Sequence, residues 1–87
     1  MDDLLGQLVV SLAGRDKGLI CTVVGKSDDE GYVLIADGRI RKVEAPKKKK
    51  LKHVKPIDCE RLSIDKLTNR FIREAINEYK ESIEETV

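Results

Sequence analysis

The sequence predicts a mostly β fold, a small barrel of short strands followed by one C-terminal amphipathic α-helix. Apolar runs recur roughly every ten residues through the first two thirds of the chain, and an Asp-Gly pair separates two of them. The last third carries apolar residues at helical spacing instead. We therefore expect a barrel domain over residues 1–60, with its strands between 6 and about 57. A helical segment over 61–87 should carry one helix from about 68 to 84.

The first two strands are predicted from the pattern of apolar residues. In 7–12, alternation puts Leu8, Val10 and Leu12 on one face of a strand. The run 19–24 is nearly continuous and rich in β-branched residues, which is typical of a strand covered on both sides.

Three further strands are predicted after these. Tyr32–Ala36 is the third, and Asp37-Gly38 then predicts a two-residue hairpin turn into a fourth strand, Arg39–Val43. Leu51–Ile57 could supply a short fifth strand. Strands this short favour a small barrel over an open sheet.

The link between the first two strands, residues 13–18, is a tight loop with glycine near both ends. Gly14 and Gly18 are expected to serve turn geometry, since glycine adopts positive φ without strain. The same loop could present Arg15 and Lys17 to a phosphate. The two roles are compatible.

The helix is predicted from a stripe that includes Ile72 and Ile76. Thr68 can cap its start, and Leu67 can pack on Ile72 as a hydrophobic staple; Ser63 is an alternative, earlier cap. We expect the stripe to pack on the barrel, and the alternative is docking on another protein or a second copy. Acidic residues on the helix could keep it away from RNA or compete for the lysines; they are Glu74, Glu78, Glu81, Glu84 and Glu85.

Residues 6–18 followed by 19–24 resemble a KOW motif, in which two strands flank a turn with a key glycine, here Gly18. Residues 32–43, the lysine-rich stretch and Leu51-Lys52-His53-Val54 extend the resemblance over about residues 6–56. They are similar to the archaeal and eukaryotic large-subunit ribosomal protein of the "fourteen-e" type. The resemblance implies an SH3-like barrel that binds ribosomal or other structured RNA in translation.

Charge is strongly segregated along the chain. Residues 39–55 hold nine Lys/Arg and one acid, Glu44, which gives this tract a net charge of +8, whereas the whole chain carries +1. Segregated positive charge is typical of polyanion binding, and nucleic acid is the commonest polyanion; a solvated tail is the alternative. Because Pro46 precedes Lys47–Lys50, we expect a mobile basic arm over 47–52 that contacts phosphates with little sequence preference.

Two arginines are expected to be held more rigidly than this arm. Arg39 and Arg41 should project from one face of their strand while Ile40 points inward. Aromatic residues are scarce, which favours folded RNA over single strands. The candidate RNA-binding residues are Arg15, Lys17, Arg39, Arg41, Lys42, Lys47, Lys48, Lys49, Lys50, Lys52, His53 and Lys55.

Other functions are less favoured by the sequence. There is no nucleophile–His–carboxylate set, so we do not expect an enzyme, a cofactor or a metal site, and His53 should be a surface residue. Cys21 is expected to be a core thiol, and two distant thiols without a secretion signal indicate a cytoplasmic protein. No apolar run approaches membrane-spanning length. The alternative function is a KOW-type protein-interaction module in transcription or translation, with a ribosomal or other protein bound through the helix.

Overall fold

The computed structural model describes residues 4–85, with side chains as far as residue 83. The strands are β1 (Leu8–Ser11), β2 (Ile20–Lys26), β3 (Tyr32–Ala36), β4 (Lys47–Lys50) and β5 (Val54–Pro56), and the helix is α1 (Asn69–Glu85). All pairings are antiparallel, in one sheet of order β4-β3-β2-β1-β5. The predicted mostly β fold with one C-terminal helix is confirmed, and closure into a barrel stays a prediction.

The turn between β1 and β2 depends on two glycines, as predicted. The strands pair with Leu8 opposite Thr22. Gly14 and Gly18 have φ of +86° and +88°, a conformation that residues with a Cβ disfavour. The glycines therefore allow the short loop that returns the chain into β2.

The sheet is covered on both faces, which confirms the interpretation of the β-branched run. Cys21 and Val23 point into one core, and Ile20 and Val24 point the other way, toward α1. The first core comprises Val9, Cys21, Val23, Val33, Ile35 and Val54. The predicted apolar face of β1 is confirmed only in part: Leu8 is buried, but Leu12 lies beyond the strand and is exposed, and Val9 on the other face is fully buried.

The helix begins where the sequence predicts. Thr68 Oγ1 accepts a hydrogen bond from the backbone N–H of Phe71 at 3.1 Å, as a helix N-cap does. Leu67 packs on the same cluster as Ile72, which is fully buried against the sheet. Ser63 precedes a separate 3-10 turn and makes no capping hydrogen bond to it. The helix thus packs on the sheet, as expected.

The predicted two-residue hairpin at Asp37-Gly38 is wrong, and residues 37–46 form a loop. Asp37 Oδ1 accepts the backbone N–H groups of Arg39 and Arg41 at 3.1 and 2.8 Å. The carbonyl of Arg41 in turn accepts the N–H groups of Asp37 and Gly38. These bonds close the loop on itself, so its backbone does not extend the ladder of β3 as the expected fourth strand would.

The expected mobile arm over 47–52 is also wrong, because its lysines form β4. Lys47 lies opposite Ile35 and Lys49 opposite Val33. A strand sends alternate side chains to opposite faces, so Lys49 is buried whereas Lys48 and Lys50 are exposed. An inward lysine is tolerated only where its ammonium is paired and hydrogen-bonded.

The sheet must curl strongly between its two edges. β4 and β5 are the edge strands, yet only Leu51–His53 connect them. In a flat five-stranded sheet the edges would lie about 19 Å apart. The chain from Lys50 to Val54 reaches at most about 14 Å when fully extended. The short connection therefore brings the two edges toward each other.

Candidate nucleic-acid interface

Lys49 anchors β4 to the loop between β1 and β2. Its Nζ lies 2.7 Å from Asp16 Oδ1 and 2.7 Å from the carbonyl of Ala13. Ser11 also donates to Asp16 Oδ1, at 2.9 Å, and Lys47 Nζ lies 3.4 Å from Oδ2. Burial opposes ionisation of Asp16, but the hydrogen bonds from its neighbours, above all Lys49, outweigh it and lower its pKa to about 2. Lys47 and Lys49 therefore share one carboxylate, which offsets one of their two positive charges.

Lys48 is exposed but also engaged. Its ammonium pairs with Asp29, in the turn between β2 and β3, and lies 5.2 Å from the centre of the Tyr32 ring. The hydrogen bond that the Lys48 ammonium donates to Asp29 raises the pKa of Lys48. Three of the four lysines of β4 thus have carboxylate partners, so the run contributes less free positive charge than its sequence suggests.

The remaining lysines of the basic tract lie at the surface. Lys42, Lys50, Lys52 and Lys55 are exposed and make no ion pair with a described carboxylate, while His53 is half-buried. These lysines are free to contact a polyanion, but they are distributed over a loop, an edge strand, a 3-10 turn and β5.

The two arginine-bearing loops lie side by side. Arg15 and Lys17, from the loop after β1, line an open depression together with Arg41, from the loop after β3. Leu19 and Ile40 supply apolar parts of its wall. Both loops therefore contribute to one surface, although Arg41 does not lie on a strand.

A second depression adjoins the first and reaches the helix. Arg39 and Ile40 line it from the loop, and Arg73, Asn77 and Lys80 line it from α1. Spacings of four and three residues place these helical side chains on one face. The sequence shows that these residues share one face of the helix, but not that this face lies beside the loop after β3. Arg73 and Lys80 were therefore not predicted as site residues. We call the cations around the two depressions the basic loop surface; it comprises Arg15, Lys17, Arg39, Arg41, Arg73 and Lys80.

The basic loop surface keeps its positive charge. Arg15, Lys17, Arg39 and Arg41 form no ion pair with a carboxylate among the described side chains. Two acids also line these depressions: Asp16 is ion-paired with lysines of β4, and Asp37 is buried and accepts backbone N–H groups of its own loop, so neither binds the four loop cations. Grouped cations without partners create a positive potential that attracts phosphate groups.

The loop that carries Arg39 and Arg41 is held rigidly against α1. Arg73 Nη1 donates to the carbonyl of Gly38 at 2.8 Å, and the N–H of Val43 donates to Asn69 Oδ1 at 2.8 Å. Gly38 has φ of +80°, and a Cβ there would lie 2.4 Å from the carbonyl oxygen of Asn69, so the position requires glycine. Ile40 was predicted to point inward, but its side chain is 70% exposed, because the strand expected to bury it is absent.

The helix glutamates do not cover the lysines of β4. Glu74, Glu78 and Glu81 are exposed, and the carboxylates that pair with those lysines belong to the two loops described above. The side chains of Glu84 and Glu85 lie outside the described part of the chain. None of the described helix glutamates therefore contacts a lysine of β4, as it would if it competed with RNA for that strand.

Residues 4–85 were also compared with what a reactive thiol, a metal site and a membrane-spanning helix require. Burial raises the pKa of the Cys21 thiol to about 12, so it is an inert core thiol, as predicted. The described side chains include no cluster of three His, Cys, Asp or Glu that could hold a metal. Within the same residues, the helix is neither long nor apolar enough to cross a bilayer.

No protein-family model matches the chain, and a search of curated proteins returns no match.

Proposed function

We propose that the protein is an RNA-binding module of ribosomal-protein type, which binds structured RNA, and ribosomal RNA in particular, through the basic loop surface. The observation that carries the proposal is the grouping of four loop cations, Arg15, Lys17, Arg39 and Arg41, beside two cations of α1; none of the four loop cations pairs with a described carboxylate. Phosphate contacts supply most of the affinity of such interfaces. A cytoplasmic location is part of the same proposal.

The placement of the aromatic rings supports structured RNA as the ligand. Tyr32 lies beneath Lys48, and Phe71 and Tyr79 are half-buried along α1. Proteins that bind single strands stack successive bases on exposed rings. Without such a platform in the described residues, recognition by backbone and shape is the mode that the surface favours.

The same proposal extends to the fold, which we infer to be an SH3-like barrel of the KOW type. The sheet order, with β5 beside β1, and the three-residue link from β4 to β5 both favour closure. The contact of Lys49 with Ala13 and Asp16 adds a bond between β4 and the loop after β1. Slow hydrogen exchange at the outward N–H groups of β4 and β5 would support closure, and fast exchange would contradict it.

The proposed function is tested by removing two rigid cations. The double variant R39Q/R41Q should bind a ribosomal RNA fragment more weakly and reduce the slope of log affinity against log salt by roughly 0.7–0.9 for each lost phosphate contact. The matched control is K66Q/R70Q, which removes the same charge at exposed positions that line neither depression. Equal binding by both variants, or no RNA binding by the wild type, would contradict the proposal.

A further inference from the structure

The most exposed large apolar side chain of the described chain lies where the two depressions of the basic loop surface meet. Ile40 is 70% exposed and is shared by both depressions, with Arg15, Lys17 and Arg41 on one side and Arg39 on the other. Leaving a large apolar side chain in water is unfavourable, and a loop tip usually carries a polar residue. Ile40 lies between the cations of the two depressions, where a ligand bound by those cations can bury it.

The loop geometry keeps Ile40 in this position. Asp37 Oδ1 holds the N–H groups on either side of it, those of Arg39 and Arg41, and Arg73 holds the carbonyl of Gly38. The side chain is consequently presented on a fixed backbone and does not need to be ordered on binding. Contacts from preorganised groups lose less entropy and contribute more affinity.

We propose that Ile40 packs against an unstacked base, so that the basic loop surface selects RNA with an interrupted helix, such as a single-nucleotide bulge. This inference rests on the proposed RNA-binding function and specifies its ligand. Cations on both sides of the apolar tip can contact the phosphates that flank an interruption. A continuous A-form duplex keeps its bases stacked and its major groove too narrow for side chains, so it offers Ile40 no apolar partner.

The test compares two synthetic RNA hairpins with identical stems, one of which has a single-nucleotide bulge labelled with 2-aminopurine. Binding of the full chain is measured at one fixed salt concentration. The wild type should prefer the bulged hairpin by roughly tenfold, as expected for burial of part of an isoleucine side chain. I40S should bind the two hairpins equally, and it should not produce the change in 2-aminopurine fluorescence that the wild type produces.

The matched control is I64S, which alters another exposed isoleucine that lines neither depression. It should retain the preference for the bulged hairpin. Equal binding of both hairpins by the wild type would overturn the inference while leaving RNA binding intact. Binding of neither hairpin would overturn the proposed function as well. If the wild type instead showed no RNA preference but bound vesicles of anionic lipid in an Ile40-dependent manner, a membrane surface would replace RNA as the ligand.

Discussion

At the scale of single residues, two threonines show how position decides what a hydroxyl contributes. Thr22 is fully buried in β2, and its Oγ1 has no hydrogen-bond partner among the described residues. Thr68 is exposed, and its Oγ1 accepts the N–H of Phe71 at the start of α1. A buried hydroxyl without a partner is destabilising, whereas an N-cap is stabilising. The same substitution should therefore have opposite effects at the two positions.

We expect T22V to raise the free energy of unfolding by about 1 kcal/mol, because valine fills the same space without an unsatisfied polar atom. T68V should lower it by about 1 kcal/mol through loss of the cap. Urea unfolding followed by circular dichroism measures both. A stability loss in T22V would show that its hydroxyl does have a partner in solution.

The pKa of Asp16 predicts how stability depends on pH. Its folded-state pKa of about 2 lies below the ordinary 3.8, so the ionised carboxylate stabilises the fold. This contribution should be complete above about pH 4 and disappear as the pH falls toward 2, and it amounts to about 2 kcal/mol by linkage. D16N should lack this dependence in urea unfolding between pH 2 and 6, while the exposed-site control D28N should keep it. Parallel profiles for D16N and the wild type would contradict the prediction.

At the scale of elements, the sequence predicts the strands and the helix whose apolar residues recur at a regular spacing. β1, β2, β3 and α1 appear close to their expected positions for this reason. β4 has no apolar residue from which to infer a period, and its inward lysine depends on Asp16, which is distant in sequence. A two-residue hairpin was predicted wrongly at Asp37 because the Asp37 side chain accepts hydrogen bonds from nearby backbone N–H groups and so holds a longer loop. The positions of Arg73 and Lys80 depend on packing that no local pattern specifies.

Within β4, adjacent lysines should differ sharply in their effect on stability. K49A leaves Asp16 buried without its main partner and should cost about 3 kcal/mol. K50A changes an exposed side chain and should alter stability by less than about 0.5 kcal/mol. Thermal unfolding of both variants tests the difference, and equal effects would show that the lysines do not alternate between core and solvent. Replacing all four lysines together would consequently damage the fold as well as any RNA contact.

At the scale of the whole molecule, the sheet separates two small cores. One lies within the curl of the sheet, and the other lies under α1 around Leu8, Ile72 and Ile76. β2 contributes to both, since its successive side chains point to opposite faces. Loss of either core exposes the strand that the other requires, so helix and sheet should unfold together.

I72A should therefore destabilise the entire molecule by about 2–4 kcal/mol and not merely loosen the helix. The readouts are the helical circular dichroism signal and hydrogen exchange at the amides of β2. Both should report the same lower stability in I72A. I83A, which alters an exposed helical isoleucine, is the control. Early loss of helix with β2 still protected would show that the two cores are independent.

The pairing of β1 with β5 has a consequence for the order in which the chain folds. Val9 lies opposite Pro56, so the outer edge of β1 forms its hydrogen bonds only after β5 is available to pair with it. During synthesis, β1, β2 and β3 can pair as soon as they emerge. The outer edge of β1 stays exposed until β5, which follows β1 by about 45 residues, has also been made. Long-range closure of this kind slows folding relative to local hairpins. The nascent chain is thus most prone to aggregation in the interval before β5 appears.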